Sequence, residues 1–161
     1  MPTNPYASFV GSREPREVVE TTPLELHRLA GRIGSTRMAA PRAPGKWSAR
    51  DILSHLADCE IAFGFRLRQV LAEDRHVMQP FDQDKWAAPY AQMDANAALQ
   101  LFEALRNWNV ALLKTVTPEQ LQKKTTHPER GDMTFQTIVE TMAGHDINHL
   151  KQLEEIAGRS A

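Results

Sequence analysis

Apolar residues recur along this chain at intervals of three and four, the spacing of helices that bury one face. Leu26, Leu29 and Ile33 share such a face. Thr22-Pro23-Leu24-Glu25 just before it reads as a helix start: Thr22 caps, Pro23 suits the first helical position and Glu25 closes a capping box. Two prolines and a glycine in MAAPRAPGKW (38–47) interrupt the pattern. A second helix is predicted from Ser48, whose hydroxyl accepts from the amide of Asp51, to about Glu73. Its inner stripe is Ile52, Leu56, Cys59, Phe63, Leu67 and Val70. Residues 74–93 mix Pro80 and Pro89 with polar and aromatic residues and read as a long connection. A third helix is predicted from Asp94 to Val116, with Leu99, Phe102, Leu105, Trp108 and Leu112 inward. Thr117-Pro118-Glu119 caps a further short turn. A fourth helix is predicted from Thr134 to a stop at Gly158, with Phe135, Ile138, Met142, Leu153 and Ile156 inward. No strand-like alternation persists. Four such helices predict an all-α fold, a four-helix bundle, in a single domain over residues 1–161.

Composition narrows the functional classes. With 161 residues and 42% apolar side chains, the chain is long enough to bury a sizeable core. Its formal charge of −1 gives no general attraction to nucleic acid or anionic membranes. A mild basic bias over residues 1–50 reads as a solvated face. Cys59, the single cysteine, excludes an internal disulfide and fits a reducing compartment. No apolar run is long enough to span a bilayer, and MPTNPYASFV lacks the layout of a signal peptide. These features predict a cytoplasmic protein with neither nucleic acid nor membrane as partner. No glycine-rich phosphate loop occurs, so a nucleotide cofactor is not expected.

Two apolar stripes are interrupted by histidine. His55 lies between Ile52 and Cys59. His145 and His149, four residues apart, put both imidazoles on one helix face, about 6 Å apart at the backbone. The stripe Phe135, Ile138, Met142 turns that face inward. Buried imidazoles need partners, and a metal ion would satisfy all three at once. Hydrogen-bonded core histidines are the competing reading, and the residue pattern alone leaves both open.

Lys46-Trp47-Ser48-Ala49-Arg50-Asp51-Ile52-Leu53-Ser54-His55-Leu56-Ala57-Asp58 resembles the start of the second helix in DinB/YfiT-like proteins. Gly144-His145-Asp146-Ile147-Asn148-His149-Leu150-Lys151-Gln152 resembles the signature on their last helix. The resemblance runs from Thr22 to Ile156. It implies a four-helix bundle in which His55, His145 and His149 hold a divalent metal, Zn or Ni first and Fe or Mn after them. It also implies a small-molecule substrate. Relatives include S-transferases and isomerases that use a low-molecular-weight thiol, and metal-dependent hydrolases. Members often pair through helices, so a homodimer is implied. The extra C-terminal domain of mycothiol-using members is not expected here.

Three ligands of one ion must sit at one level of the bundle. His55 lies about 10 Å below the start of its helix, and His149 about 12 Å from the end of the last. The levels match if those two helices run antiparallel. That requires an up-down-down-up bundle with a long crossover between helices 2 and 3, and about 20 residues in 74–93 can span over 60 Å.

Around this site, Trp86 and Tyr90 are candidates for the wall of a pocket mouth, and Gln152 for a ligand contact or a polar edge. Trp47 is expected to plug the bundle end. Cys59 is read as a small buried apolar residue rather than a fourth ligand. Asp58 and Glu60 are read as helix-surface carboxylates, Asp146 as a solvated charge, and Arg28 with Arg32 as a solvated face. His27, His76 and His127 are expected at the surface, with the 117–133 connection at the end remote from the chemistry.

The function expected from this reading is a metal-dependent enzyme, a thiol-dependent S-transferase or a hydrolase. The alternative is a non-catalytic, stress-related metal- or ligand-binding protein with a structural metal. An open coordination position favours the enzyme, and a fourth protein ligand favours the alternative.

Overall fold

The structure is a computed structural model that describes residues 3–158. In chain order the elements are α1 (Ala7–Val10), α2 (Pro15–Ile33), α3 (Ala49–Ala72) and α4 (Gln83–Ala87). A 3-10 turn (Tyr90–Gln92), α5 (Ala95–Leu113), α6 (Pro118–Leu121), β1 (Lys124–His127), β2 (Gly131–Thr134) and α7 (Phe135–Ala157) follow. Helices α2, α3, α5 and α7 form the bundle. Their starts are locally encoded. Ser48 and Asp51 form a reciprocal capping box on α3, at 3.2 and 3.0 Å, Asp94 accepts from Ala97 N–H at 2.7 Å, and Thr134 caps α7.

Side-chain pairs fix the helix directions. Glu20 of α2 meets Lys114 of α5 and His27 meets Glu103, so these helices run antiparallel. Glu60 and Arg68 of α3 meet Arg106 and Asn109 of α5, so those run parallel. The start of α7 packs with Val19 and with Phe63, Leu67 and Val70, whereas its end packs with Leu26, Leu29 and Ile52. Helix α7 is therefore parallel to α2 and antiparallel to α3. The topology is up-down-down-up, with the segment between α3 and α5 crossing the length of the bundle.

Two apolar clusters occupy the two ends of the core. The polar residues Thr22, His55, Glu60, Arg106, Asn109, His145, Asp146 and His149, all buried, lie between them. Gly144 permits one close approach here. A Cβ at that position would lie 2.5 Å from the Tyr6 carbonyl oxygen, so glycine lets the N-terminal segment and α1 lie against α7 beside His145.

Several details differ from the sequence expectation. Helix α2 begins at Pro15, seven residues before Thr22, with Glu14 as its cap, and Pro23 sits inside the helix. Proline lacks the N–H that would bond the Val19 carbonyl. Arg106 Nη1 donates to that carbonyl instead, at 2.9 Å. On α5, Trp108 is 68% exposed, and the inward positions are Leu99, Phe102, Arg106, Asn109 and Leu113. The helix is rotated so that a charged side chain faces the core, where carboxylates await it. The 117–133 connection contains the antiparallel hairpin β1–β2, with Lys124 opposite Thr134 and His127 opposite Gly131. Its strands are too short for alternation to register in the sequence. His127 is buried there rather than at the surface.

Candidate metal centre

His55 sits two turns into α3, and His145 and His149 sit one turn apart on α7. Their exposures are 1, 4 and 5%. The antiparallel pairing of α3 and α7 brings the rings into a triangle with centroid separations of 5.1 Å (His55–His145), 4.8 Å (His55–His149) and 4.5 Å (His145–His149). Nε2 of His55 lies 3.0 Å from Nε2 of His145. Cys59, one turn after His55, places Sγ 3.4 Å from the same His55 nitrogen. The ligand atoms of His55, Cys59 and His145 all lie within 4.8 Å of one another.

All three imidazoles are held neutral. Burial, then the neighbouring His149, lowers the His55 pKa to about 3. Burial lowers His149 to about 4, against the opposing effect of its hydrogen bond to Gln152 Oε1. His145 is lowered well below the ordinary value by burial, then by its two histidine neighbours and Arg106. Burial, then Asp58, pushes the Cys59 thiol up, so it too is uncharged. The hydrogen bonding is incomplete. The His145 Nδ1 atom is buried with no partner, and the two facing Nε2 atoms share a single possible hydrogen between them. His149 Nδ1 lies 3.2 Å from Gln152 Oε1, which fixes that proton on Nδ1 and leaves Nε2 with a free lone pair. Neutral imidazole nitrogens beside a thiol, with a buried ring nitrogen left unpaired, fit a borderline divalent cation such as Zn, Ni or Fe. They do not suit the hard oxygen-seeking ions Ca and Mg.

Aromatic rings enclose the triangle. Trp47 lies 4.8 Å from the His55 ring and stacks on His149 at 6.3 Å, so it covers the site rather than simply plugging the bundle end. Tyr6 and Phe63 meet His145 edge-on, at 5.3 and 5.9 Å. A cleft of about 340 Å³ reaches the site between the 42–47 loop, the start of α4 and the middle of α7. His149, Gln152, Trp47 and Tyr6 line it. Gln152 therefore stands in the cleft. Trp86 does not: it packs on Phe81 at 4.5 Å. Tyr90 is buried behind Trp47 and donates to Asp58 Oδ2 at 2.7 Å, so it supports the wall without lining the cleft. A larger groove of about 620 Å³ lies among α2, α3 and α5, lined by His27 but by none of the three histidines of the triangle.

The acidic residues beside the site have different surroundings from those expected. Asp146 and Glu60 are neither solvated nor on the helix surface; both are buried against Arg106. Arg106 Nη1 and Nη2 donate to Asp146 at 2.6 and 3.1 Å, and Nη2 donates to Glu60 at 2.8 Å. Thr22 Oγ1 completes the Asp146 contacts at 2.9 Å, and Asn109 Nδ2 donates to Glu60 at 2.7 Å. Burial alone would lower the Arg106 pKa, but Asp146 and Glu60 outweigh it and hold the guanidinium charged. The sequence does carry a signal for this network. Arg106 and Asn109 fall on the stripe of Leu99, Phe102 and Leu113, and a charge on an apolar face demands a buried partner.

A family model described as the DinB superfamily matches residues 19–153. Among curated relatives, a protein of Oceanobacillus iheyensis named "putative metal-dependent hydrolase" is 25% identical over 142 residues, covering 88% of this chain and 83% of its own. A protein of Halalkalibacterium halodurans with the same descriptive name is 25% identical over 138 residues, covering 85% and 81%. Among solved structures, YfiT from Bacillus subtilis, described as "a probable metal-dependent hydrolase with an unusual four-helix bundle topology", aligns with a TM-score of 0.80. It is 24% identical, with 91% of this chain and 87% of that one covered. A mycothiol-dependent maleylpyruvate isomerase aligns with a TM-score of 0.69 at 10% identity, covering 86% of this chain and 59% of its own.

Proposed function

The chain belongs to the DinB superfamily, and from that premise we propose that it is a metal-dependent enzyme whose His55, His145 and His149 hold one divalent ion at the foot of the cleft. The observation that carries this reading is the triangle of neutral, buried imidazoles with an unpaired ring nitrogen. A merely structural histidine cluster would satisfy its hydrogen bonds internally. A divalent ion held by neutral imidazoles supplies Lewis acidity and makes water or a thiol nucleophilic near neutral pH.

The chain's own residues supply the rest. Gln152 holds the His149 proton on Nδ1, which leaves the Nε2 lone pair available to the ion. Trp47 shields His55 and His149 from bulk water while leaving the cleft open beside them. Cys59 stays protonated and packs one turn below His55. The substrate is a small electrophile that fits the cleft, attacked by water in a hydrolase or by a low-molecular-weight thiol in an S-transferase. The names of the relatives support the hydrolase.

The test begins with metal analysis of untagged protein, where one equivalent per chain is expected and His149→Ala should abolish it. Wild-type protein loaded with Zn, Ni or Mn is then assayed on ester and amide panels, and for loss of free thiol with an electrophile. Stoichiometric metal with turnover in neither assay would favour a structural metal.

A further inference from the structure

The 117–133 connection, expected to lie remote from the chemistry, brings a charge toward it. The tip of the β1–β2 hairpin is a turn in which Arg130 N–H donates to the His127 carbonyl at 3.2 Å, and Glu129 N–H donates to His127 Nδ1 at 3.2 Å. Gly131 takes a φ of 78°, which glycine tolerates freely. The hairpin is docked on the first residues of the crossover: Met78 N–H donates to the Thr126 carbonyl at 2.9 Å, and Thr126 N–H to that of His76 at 3.3 Å. The crossover in turn holds Arg66 of α3. Its Nη2 donates to the Gln79 carbonyl at 3.1 Å, and its guanidinium lies 5.7 Å from the Phe81 ring centroid.

Arg66 and Arg130 both wall a cavity of about 90 Å³, whose other walls include Cys59, Thr141 and His145. That is several times the roughly 15 Å³ one water needs. Tyr6 and Gln83 line both this cavity and the cleft over His149, so the two spaces adjoin. No ion pair joins either arginine to a carboxylate among the described residues, in contrast to Arg28, Arg42, Arg50 and Arg106. Burial, and then the charge of Arg130, lowers the Arg66 pKa, as expected for two cations brought together without a counterion.

We infer that Arg66 and Arg130 form an oxyanion subsite beside the histidine triangle, and that the substrate carries a carboxylate which the two guanidinium forks receive. Planar forks match a carboxylate bidentately, and the small cavity admits that group rather than a large polyanion. Tyr6, Phe63 and Phe81 around the same cavity suit an apolar or aromatic body attached to it. The two arginines thus determine specificity and orientation. With the carboxylate anchored there, a reacting carbon one or two bonds away faces His145. This assignment rests on the histidine triangle being the reaction centre.

The experiment is calorimetric titration of the full chain with acetate and benzoate, and with benzamide as the uncharged control. Each is titrated into metal-free and Zn-loaded protein. Wild type should bind both carboxylates, benzoate the tighter, and benzamide far more weakly. Arg130→Met and Arg66→Met should each weaken benzoate binding about tenfold or more, and Arg130→Lys less. Metal content and the circular dichroism spectrum should stay unchanged. Arg130, on a half-buried hairpin turn, provides the variant least able to disturb folding. Arginine-dependent benzoate binding that persists in metal-free protein and in His149→Ala would uphold the subsite even where the metal reading failed. Binding unaffected by both arginine variants, or lost on metal removal alone, would overturn it. So would failure of wild type to bind either carboxylate.

Discussion

His145 and Asp146 are neighbours on α7, equally buried, and they belong to opposite kinds of polar site. Asp146 meets a guanidinium that donates four of its five N–H groups, to two carboxylates and the Val19 carbonyl; only Nε is left unpaired. His145 meets other acceptors. Its Nε2 faces another Nε2, its Nδ1 faces nothing, and a cleft opens nearby. Polar groups that satisfy one another set the geometry of the bundle; polar groups that cannot do so wait for something else. The 100° step between adjacent helical residues lets one turn of α7 serve both purposes. The Arg106 network locks the rotation of α7, and that rotation aims His145 and His149 at His55.

The two sites should therefore fail differently when one member is removed. The largest effect expected is on catalysis. His55→Ala should lower kcat/KM by about three orders of magnitude or more, roughly 4 kcal/mol of transition-state stabilisation. Metal-free His55→Ala should nevertheless melt within a few degrees of metal-free wild type, because an incompletely bonded imidazole contributes little to the fold. A collapse of its helical circular dichroism would erase the contrast between the two sites. Arg106→Met should do the reverse. It leaves Glu60 and Asp146 buried without their cation, at a cost of about 3–5 kcal/mol. For a chain of this size that lowers the melting temperature by about 10 °C. Equal melting temperatures for Arg106→Met and wild type would remove the structural role given to the network.

A smaller effect separates the sites by pH. The folded-state pKa values of His55 and His149 are depressed to about 3 and about 4, whereas the unfolded chain titrates near 6.5. In metal-free protein the unfolded state therefore binds more protons below pH 6.5, and stability falls as pH drops from there toward 4. Going from pH 7.5 to 6 should cost about 1 kcal/mol for each of these two histidines. Urea titrations of metal-free protein at the two pH values measure this. His145, depressed by burial, by its histidine neighbours and by Arg106, adds to the same dependence, so His55→Ala should remove about a third of it.

The triangle was accessible in the sequence because each histidine interrupts an apolar stripe and the i, i+4 spacing fixes a shared face. The crossover was accessible because matching the depths of those histidines demands antiparallel α3 and α7. The network was hidden for a definite reason. Its partners are scattered over α2, α3, α5 and α7, and a lone carboxylate on a helix is ordinarily solvated, so Glu60 and Asp146 carry no signal until Arg106 is placed on the inner face. Trp108 concealed that placement: a large apolar ring drew the predicted stripe of α5 to the wrong side. The hairpin was hidden by shortness, since its four-residue strands hold only two buried positions in β1 and one in β2. The start of α2 was misplaced because Pro23 has the chemistry of a first-turn proline, and the compensation for its missing N–H comes from a residue 83 positions away.

That compensation yields the smallest expected effect. A proline inside a helix ordinarily costs about 3 kcal/mol relative to alanine, through the lost hydrogen bond and the clash of its ring with the preceding turn. Here the carbonyl it leaves free, that of Val19, is occupied by Arg106 Nη1. In Pro23→Ala the new N–H and the guanidinium compete for one carbonyl, so the gain from alanine is partly offset by a weakened network. The net change should stay within about 1 kcal/mol of wild type. In an Arg106→Met background the competition is absent, and the same substitution should stabilise by clearly more, so the two replacements couple. A double-mutant cycle by urea denaturation reads that difference. A coupling energy of zero would mean that Arg106 holds Glu60 and Asp146 alone, and that α2 tolerates its internal proline without help from the polar layer. A positive coupling would tie α2 into the same network that orients α7, so that all four long helices are fixed around the one guanidinium.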